Sequence, residues 1–245
     1  MPIGFIYIVT SVRSDYTQRY FCNVPTEWNG RLYFGPCKKS MRPKIKADDY
    51  IFGISPSNPK PRRIVFVAKV QEVLSFRDAY NRFPDLRGPK GPIHVRPVNR
   101  VGRPFPESHY EHISDAMHCN NWKRDLKTCD MDAFFVCYPS EDWLGIWLGK
   151  SGPEVNDEIL NFLKTCSIHN RTGQLSNTNE DATTTNPIAY RNLYRGLHLE
   201  TDAPQKLIGL CAKNLSHQMP PNTGIQPTAL RAPNSRRNGP VSCPG

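Results

Sequence analysis

Residues 63–70 run RIVFVAKV, and residues 50–55, just before them, run YIFGIS. Both are β-branched and aromatic runs of strand length. The segment between them is rich in Pro, Ser, Asn and Lys, so the pair reads as a β-hairpin. Outward from this hairpin the same chemistry recurs. Gly4–Thr10 (GFIYIVT), Ala133–Tyr138 (AFFVCY) and Trp143–Leu148 (WLGIWL) read as strands, the last two joined by a hairpin-like Pro139–Asp142 link. Arg31–Gly35 is a short aromatic segment that follows turn signals at Pro25 and Asn29-Gly30. Ser75–Arg82 suits two helical turns, with Ser75 as N-cap and Asp78 three residues on. Pro153–Thr165 is an amphipathic helix in which Val155, Ile159, Phe162 and Leu163 share a face. Ser151 caps it and Glu154 completes a capping box. Several short strands, few helices and Gly/Pro turns predict an α+β fold: a small curled β-sheet or partly closed barrel with a few short helices.

The chain has 245 residues and a formal net charge of +10. From Gly35 to Phe105 there are 16 Lys/Arg against 5 Asp/Glu; outside that window there are 16 against 17. One segment therefore carries the whole excess, the footprint of a polyanion-binding surface. Aromatic residues make up 10% of the chain, which excludes a fully disordered polymer. No stretch approaches 18 consecutive apolar residues, so no membrane partner is expected. The first residues read as a strand, not a signal peptide, which predicts a cytoplasmic protein. Eight cysteines without a C-x-x-C pair predict reduced, mostly buried thiols. The remaining segments divide the chain. Leu86–Pro106 lacks periodicity and reads as a long surface loop, of the kind that often binds a ligand. Tyr110–Leu126 has modest helical character. Residues 1–170 form the expected domain, 171–186 a polar loop, 187–216 a C-terminal extension packed on the domain, and 217–245 a disordered tail.

The run GPCKKSMRPKIKADDYIFGISPSNPKPRRIVFVAKVQEVLSF at residues 35–76 resembles the second nucleotide-modification-associated domain family of bacteria and phages. So does YEHISDAMHCNNWKRDLKTCDMDAFFVCYPS at residues 110–140. More distantly, Asp49-Tyr50-Ile51 and Arg63–Val70 resemble the paired segments of PUA-like domains, including the ASCH and EVE groups. That resemblance implies a PUA-like sheet with a pocket for a nucleobase or modified base. Gly35 and Arg42 match the ends of the ASCH signature. Its Lys and Glu positions hold Cys37 and Ser40, so the resemblance carries no acid/base carboxylate to this chain.

A base-reading pocket needs an aromatic face, polar groups for the base edge and cations for phosphate. Trp28, Tyr33, Trp122, Trp143 and Trp147 are the candidate stacking residues. Trp122 lies between Asn120-Asn121 and Lys123-Arg124, so Asn121 is a natural edge reader; His118 is another, four residues earlier. Lys38, Lys39 and Arg42, with Lys44 and Lys46, form a phosphate-binding loop. Arg62 and an outward-facing Arg63 repeat that role at the entrance of the next strand. Ser40 and Ser55 are candidate donors. His109-x-x-His112 with Cys119 or Cys129 is the one metal-like cluster, but its spacing fits no standard finger. His109 is instead grouped with the base-binding residues, and neither metal nor cofactor is expected. The resulting expectation is a nucleic-acid or nucleotide binding module that recognises a modified base. A nuclease or base-modifying enzyme using His109, His118, Asp115 and Asp125 is the alternative, though no P-loop, G-x-G-x-x-G or H-E-x-x-H accompanies them.

Overall fold

A computed structural model describes residues 2–9, 25–36, 41–42, 44–56, 60–88, 91–105, 107–113, 132–139, 152–166, 168–169, 175–176, 197–199 and 202–218. In chain order the strands are β1 (Gly4–Ile8), β2 (Thr26–Trp28), β3 (Arg31–Phe34), β4 (Tyr50–Ile54), β5 (Ile64–Leu74), β6 (Val95–Pro97), β7 (Tyr110–His112), β8 (Phe134–Pro139), β9 (Ile168–His169), β10 (Leu175–Ser176) and β11 (Leu197–Leu199). The helices are α1 (Phe76–Arg82), α2 (Asp157–Thr165) and α3 (Ala203–Gln218).

Seven strands make one sheet in the order β11-β1-β4-β5-β8-β3-β2. The expected hairpin is its centre: β4 and β5 pair antiparallel, with Ile51 opposite Ala68 and Phe52 opposite Val67. β1 joins β4 in parallel, and the remaining pairings in the sheet are antiparallel. β5 is long enough to serve two partners. Residues 64–69 pair with β4, and residues 70–74 pair with β8. The register shifts at Gly53/Ile54 and at Val70/Glu72, and such bulges bend a strand. Between β2 and β3, Asn29 and Gly30 both take positive φ, the geometry of a two-residue turn that matches strand twist.

Alternation along the strands gives the sheet two buried faces. On the inner face Phe5, Tyr7, Phe34, Phe66, Ala68, Val70 and Phe135 form one cluster, closed by Met41 and Ile45 from the turn before β4. The Phe66 ring lies 5.9 Å from both Tyr7 and Phe34, each two strands away on opposite sides, so the sheet curls over this face. Gly53 is part of the same packing. A Cβ there would stand 2.2 Å from the Phe66 ring, so only glycine lets the ring lie flat. Curling stops short of closure. Among the described residues β2 and β11 remain the two edges, so the fold is α+β with an open sheet and no closed barrel.

Two separate layers cover the outer face. Ile6, Ile8, Phe52, Ile54 and Val67 are covered by Ile159 and Leu163 of α2 and by Leu207 and Cys211 of α3. At the other end of the sheet, Tyr33, Phe134 and Val136 are covered by α1, by Leu86 and Ile93, and by the β6–β7 ribbon.

Four expectations are corrected here. Leu86–Pro106 is not a loop without structure: Val95–Pro97 pairs with Tyr110–His112. Tyr110–His112 is accordingly strand rather than helix, so His109 and His112 do not share a helical face. α2 starts at Asp157, with Asn156 accepting from the Ile159 amide at 3.0 Å, while Glu154 is drawn away by Arg63. α3 gives helical structure to the end of the expected extension and runs to Gln218, two residues into the segment expected as a disordered tail. Trp143–Leu148 and residues 219–245 lie outside the described residues. Among the described residues no helix is long and apolar enough to cross a membrane. The described cysteines, Cys137, Cys166 and Cys211, are free thiols. Burial pushes Cys166 up to about 11 and Cys211 up to about 12, and Cys137 higher still.

Candidate nucleic-acid interface

The layer of α1 and the β6–β7 ribbon lies within the basic window and extends slightly past it. Residues 76–113 carry seven Lys/Arg against four Asp/Glu. The α2 and α3 segments, 152–166 and 202–218, carry three against four. Helix α1 forms as its sequence requires: Ser75 Oγ accepts from the Asp78 amide at 2.9 Å. Its Phe76 and Ala79 are buried, leaving Arg77 and Arg82 exposed. Arg87 stacks on the Tyr80 ring at 4.0 Å and donates to the Tyr80 carbonyl at 2.7 Å, which ties the following turn to the helix.

The ribbon is an arm. Beyond the paired residues, the Val98 amide donates to His109 O at 2.8 Å and the Arg100 amide to Ser108 O at 3.0 Å. Its inner face inserts Val95 and Tyr110 into the core. Its outer face carries Arg96 opposite Glu111. Both Arg96 and Arg100 donate to the Glu111 carboxylate, so one acid holds two guanidiniums in fixed directions. Arg103, Phe105 and His109 are exposed nearby, with the Phe105 and His109 rings 5.7 Å apart.

A buried polar node fixes the root of the arm. Asp132 accepts from the Phe76 amide at 2.6 Å and from the Tyr110 hydroxyl. It thereby joins β8, the first turn of α1 and β7. Burial pushes the Asp132 carboxyl up to about 6, against the opposing pull of the Phe76 amide and the Arg42 charge. Arg42, only 1% exposed, lies 5.5 Å over the Phe76 ring. His94 and His112 pack together beside the node's strand, their rings 5.4 Å apart. Sequence reasoning missed Asp132, Tyr110, His94 and Glu111. A lone carboxylate at the edge of a polar stretch gives no periodic signal, and the cross-strand pairing that selects Glu111 depends on a ribbon read as loop.

The residues named from sequence fall in three places. Arg42 belongs to the node. Ser55, Arg62 and Arg63 lie at the opposite end of β5 and serve the fold. Ser55 Oγ accepts from the Arg63 amide at 2.9 Å, and Arg62 Nε donates to Ser55 O at 3.1 Å. Burial lowers the Arg62 pKa. Arg63, expected to face outward, is turned inward: its guanidinium meets Glu154 at 2.5 Å and donates to Gly152 O at 2.6 Å. The bulge opposite Gly53/Ile54 leaves Val65 of β5 unmatched and shifts the alternation just before Arg63 is reached, and the Arg63–Glu154 pair pins the α2 segment to β5. His109 is on the arm. Lys38, Lys39, Ser40, His118, Asn121 and Trp122 lie outside the described residues. Of the other candidates, Tyr33 is buried between Phe83 and Phe134, and Trp28 packs against it at 6.2 Å. Asp49, matched above to the PUA-like acidic position, is a structural clamp that accepts from the Ile3 and Lys46 amides at 2.8 and 2.7 Å. Among the described residues no group of three His, Cys, Asp or Glu side chains is placed to hold a metal. Comparison with known protein families, curated proteins and solved structures finds no match to this chain.

Proposed function

We propose that this chain is a nucleic-acid binding module that presents the α1–arm layer to the phosphate backbone and reads a modified base through the residues between β7 and β8. The observation that carries the reading is the charge difference between the two outer layers. Both bury the same kind of sheet face, but the layer with the protruding arm carries seven Lys/Arg against four Asp/Glu, where the other carries three against four. The resemblance of residues 35–76 and 110–140 to a nucleotide-modification-associated family supports the base-reading part, within a PUA-like frame whose sheet is open. In sequence, His118, Asn121 and Trp122 lie between Tyr110 and Asp132, two residues that a hydrogen bond joins.

The test is binding of the full chain to oligonucleotides that differ only in one modified base, across a salt series. Modified-base preference that persists at high salt and disappears in Trp122→Ala supports base reading. Binding that is equal for all sequences and abolished by salt leaves phosphate attraction alone. A second reading, a nuclease or base-modifying enzyme, is favoured by the Asp132 carboxyl, which burial pushes up to about 6 beside the Tyr110 hydroxyl. Incubation with plain and modified DNA and RNA, with and without divalent metal, decides it. Product formation lost in Asp132→Asn favours the enzyme, and absence of product throughout removes it.

A further inference from the structure

The arm ends in a feature the fold does not need. Val101 is 96% exposed and Phe105 42%, and these are the exposed large apolar side chains among the described residues. A single exposed hydrophobe is ordinary, but this one stands at the tip of a projecting ribbon between Arg100 and Arg103. The turn is narrow because Gly102 takes φ +80°, a conformation closed to most side chains. The ribbon's faces are already committed. Val95 and Tyr110 face the core, and on the outer face the Arg96 and Arg100 guanidiniums are turned onto the Glu111 carboxylate. The outer-face donors are thus engaged within the ribbon, whereas the tip, with Val101 fully in solvent, is the part that projects toward a partner. A narrow tip with one apolar side chain between two arginines suits the minor groove of B-form DNA. That groove is only about 6 Å wide, and there apolar wedges unstack a base step while arginines meet its negative potential.

We infer that the arm is a probe for double-stranded DNA: Arg100 and Arg103 grip the minor groove and Val101 wedges against a base step. This rests on the nucleic-acid reading above and names its substrate as duplex DNA. An anionic membrane is the competing partner for a basic, apolar-tipped arm. One valine and a half-exposed phenylalanine offer little area for insertion, and the arm's charge chemistry fits a phosphate groove.

The experiment measures affinity of the full chain for an A·T-rich DNA duplex, for the same sequence single-stranded, and for vesicles of equal parts phosphatidylcholine and phosphatidylserine. End-to-end energy transfer across the duplex reads bending. Val101→Asp is expected to weaken duplex binding about tenfold, the factor given by ~1.4 kcal/mol, and to remove the bend. Single-strand binding is expected to be unchanged. Val101→Ser, closer in size, must show a loss in the same direction, and Val101→Leu must keep wild-type bending. Unchanged melting temperatures confirm that the loss is local. Duplex binding and bending indifferent to Val101 overturn the wedge while leaving the nucleic-acid reading intact. Failure of the wild-type chain to bind any nucleic acid overturns both. Vesicle binding that depends on Val101, without duplex binding, assigns the arm to a membrane.

Discussion

The two layers that cover the outer face of the sheet solve the same burial problem with different materials. The α2–α3 layer uses two helices whose apolar stripes lie on Ile6, Phe52 and Ile54. Lys213 pairs with Glu158 at 2.7 Å and Lys206 with Asp202 at 2.7 Å one helical turn along, while Arg63 beside β5 holds Glu154 ahead of α2 at 2.5 Å. The α1–arm layer uses a two-turn helix and a ribbon of three-residue strands, elements too short to be stable alone. They are tied down by specific polar contacts, Asp132 above all, and they carry seven Lys/Arg against the three of the other layer. The difference separates a part of the molecule that stabilises the sheet from a part that presents charge beyond it.

The largest effect expected from this contrast is on the α2–α3 side. Leu207 is fully buried against the sheet, so Leu207→Ala should cost about 3 kcal/mol, the transfer and cavity cost of truncating a core leucine. Chemical denaturation checks the cost. Oligonucleotide affinity of the fraction that remains folded should not change. A matching loss of affinity in folded protein breaks the division of labour between the layers.

The node in the other layer gives the next effect, and it depends on pH. Burial pushes the Asp132 carboxyl up to about 6 in the folded state, above the ordinary aspartate value of 3.8. The folded state therefore holds the proton more tightly than the unfolded chain. The stability this contributes is fully present below about 4 and is lost as pH rises through about 6. Asp132→Asn keeps an acceptor for the Phe76 amide and the Tyr110 hydroxyl without the buried charge. It should be more stable than the wild type at pH 8 by about 1–2 kcal/mol, allowing for partial contact with water, and the advantage should vanish near pH 4. Unfolding measured across that range tests the sign. A variant whose stability follows the wild type at every pH shows that the carboxyl is not the titrating group.

How far this arrangement was legible in the sequence follows from what each element depends on. β1, β4, β5, β8 and α1 depend on local patterning: YIFGIS, RIVFVAKV and AFFVCY are strands because their side chains fit a buried pleat, and Ser75 caps α1 through its own hydroxyl. The ribbon depends on pairing across residues 98–109. Pro92, Pro97, Pro104 and Pro106 mask it, because proline is tolerated in short edge strands yet reads as a break. α3 was missed because Pro204, Gly209 and several polar residues dilute its stripe, although Leu207 and Cys211 are buried. At the site, the basic window was legible as charge. Which cations stay at the surface was not. Arg63 was lost to Glu154, a residue 91 positions away, and Arg42 to the node.

A smaller effect separates the layers directly. Arg77 on α1 and Lys213 on α3 are both exposed cations on helices. Arg77→Gln should weaken duplex binding and reduce the slope of log affinity against log salt by about 1. Lys213→Gln should leave both unchanged. Anisotropy titrations at several salt concentrations make the comparison, and equal responses from the two positions would mean that charge acts without regard to layer.

The smallest effect concerns Glu111, the acid between Arg96 and Arg100. An exposed ion pair contributes about 0–1 kcal/mol, so Glu111→Gln should leave thermal stability nearly unchanged. Its effect on binding is a balance of two terms. Loss of the carboxylate releases charge toward a phosphate, which favours binding. It also frees two long side chains that the carboxylate held in place, and the immobilisation of each rotamer-rich side chain costs about 0.5–1.5 kcal/mol on binding. At low salt the charge term dominates, and the variant should bind duplex DNA modestly tighter, with a steeper salt dependence. At high salt screening removes that gain while the ordering cost persists, so the order of affinities should reverse. A variant that binds more tightly at every salt concentration would show that Glu111 only opposes phosphate and does not position the arginines.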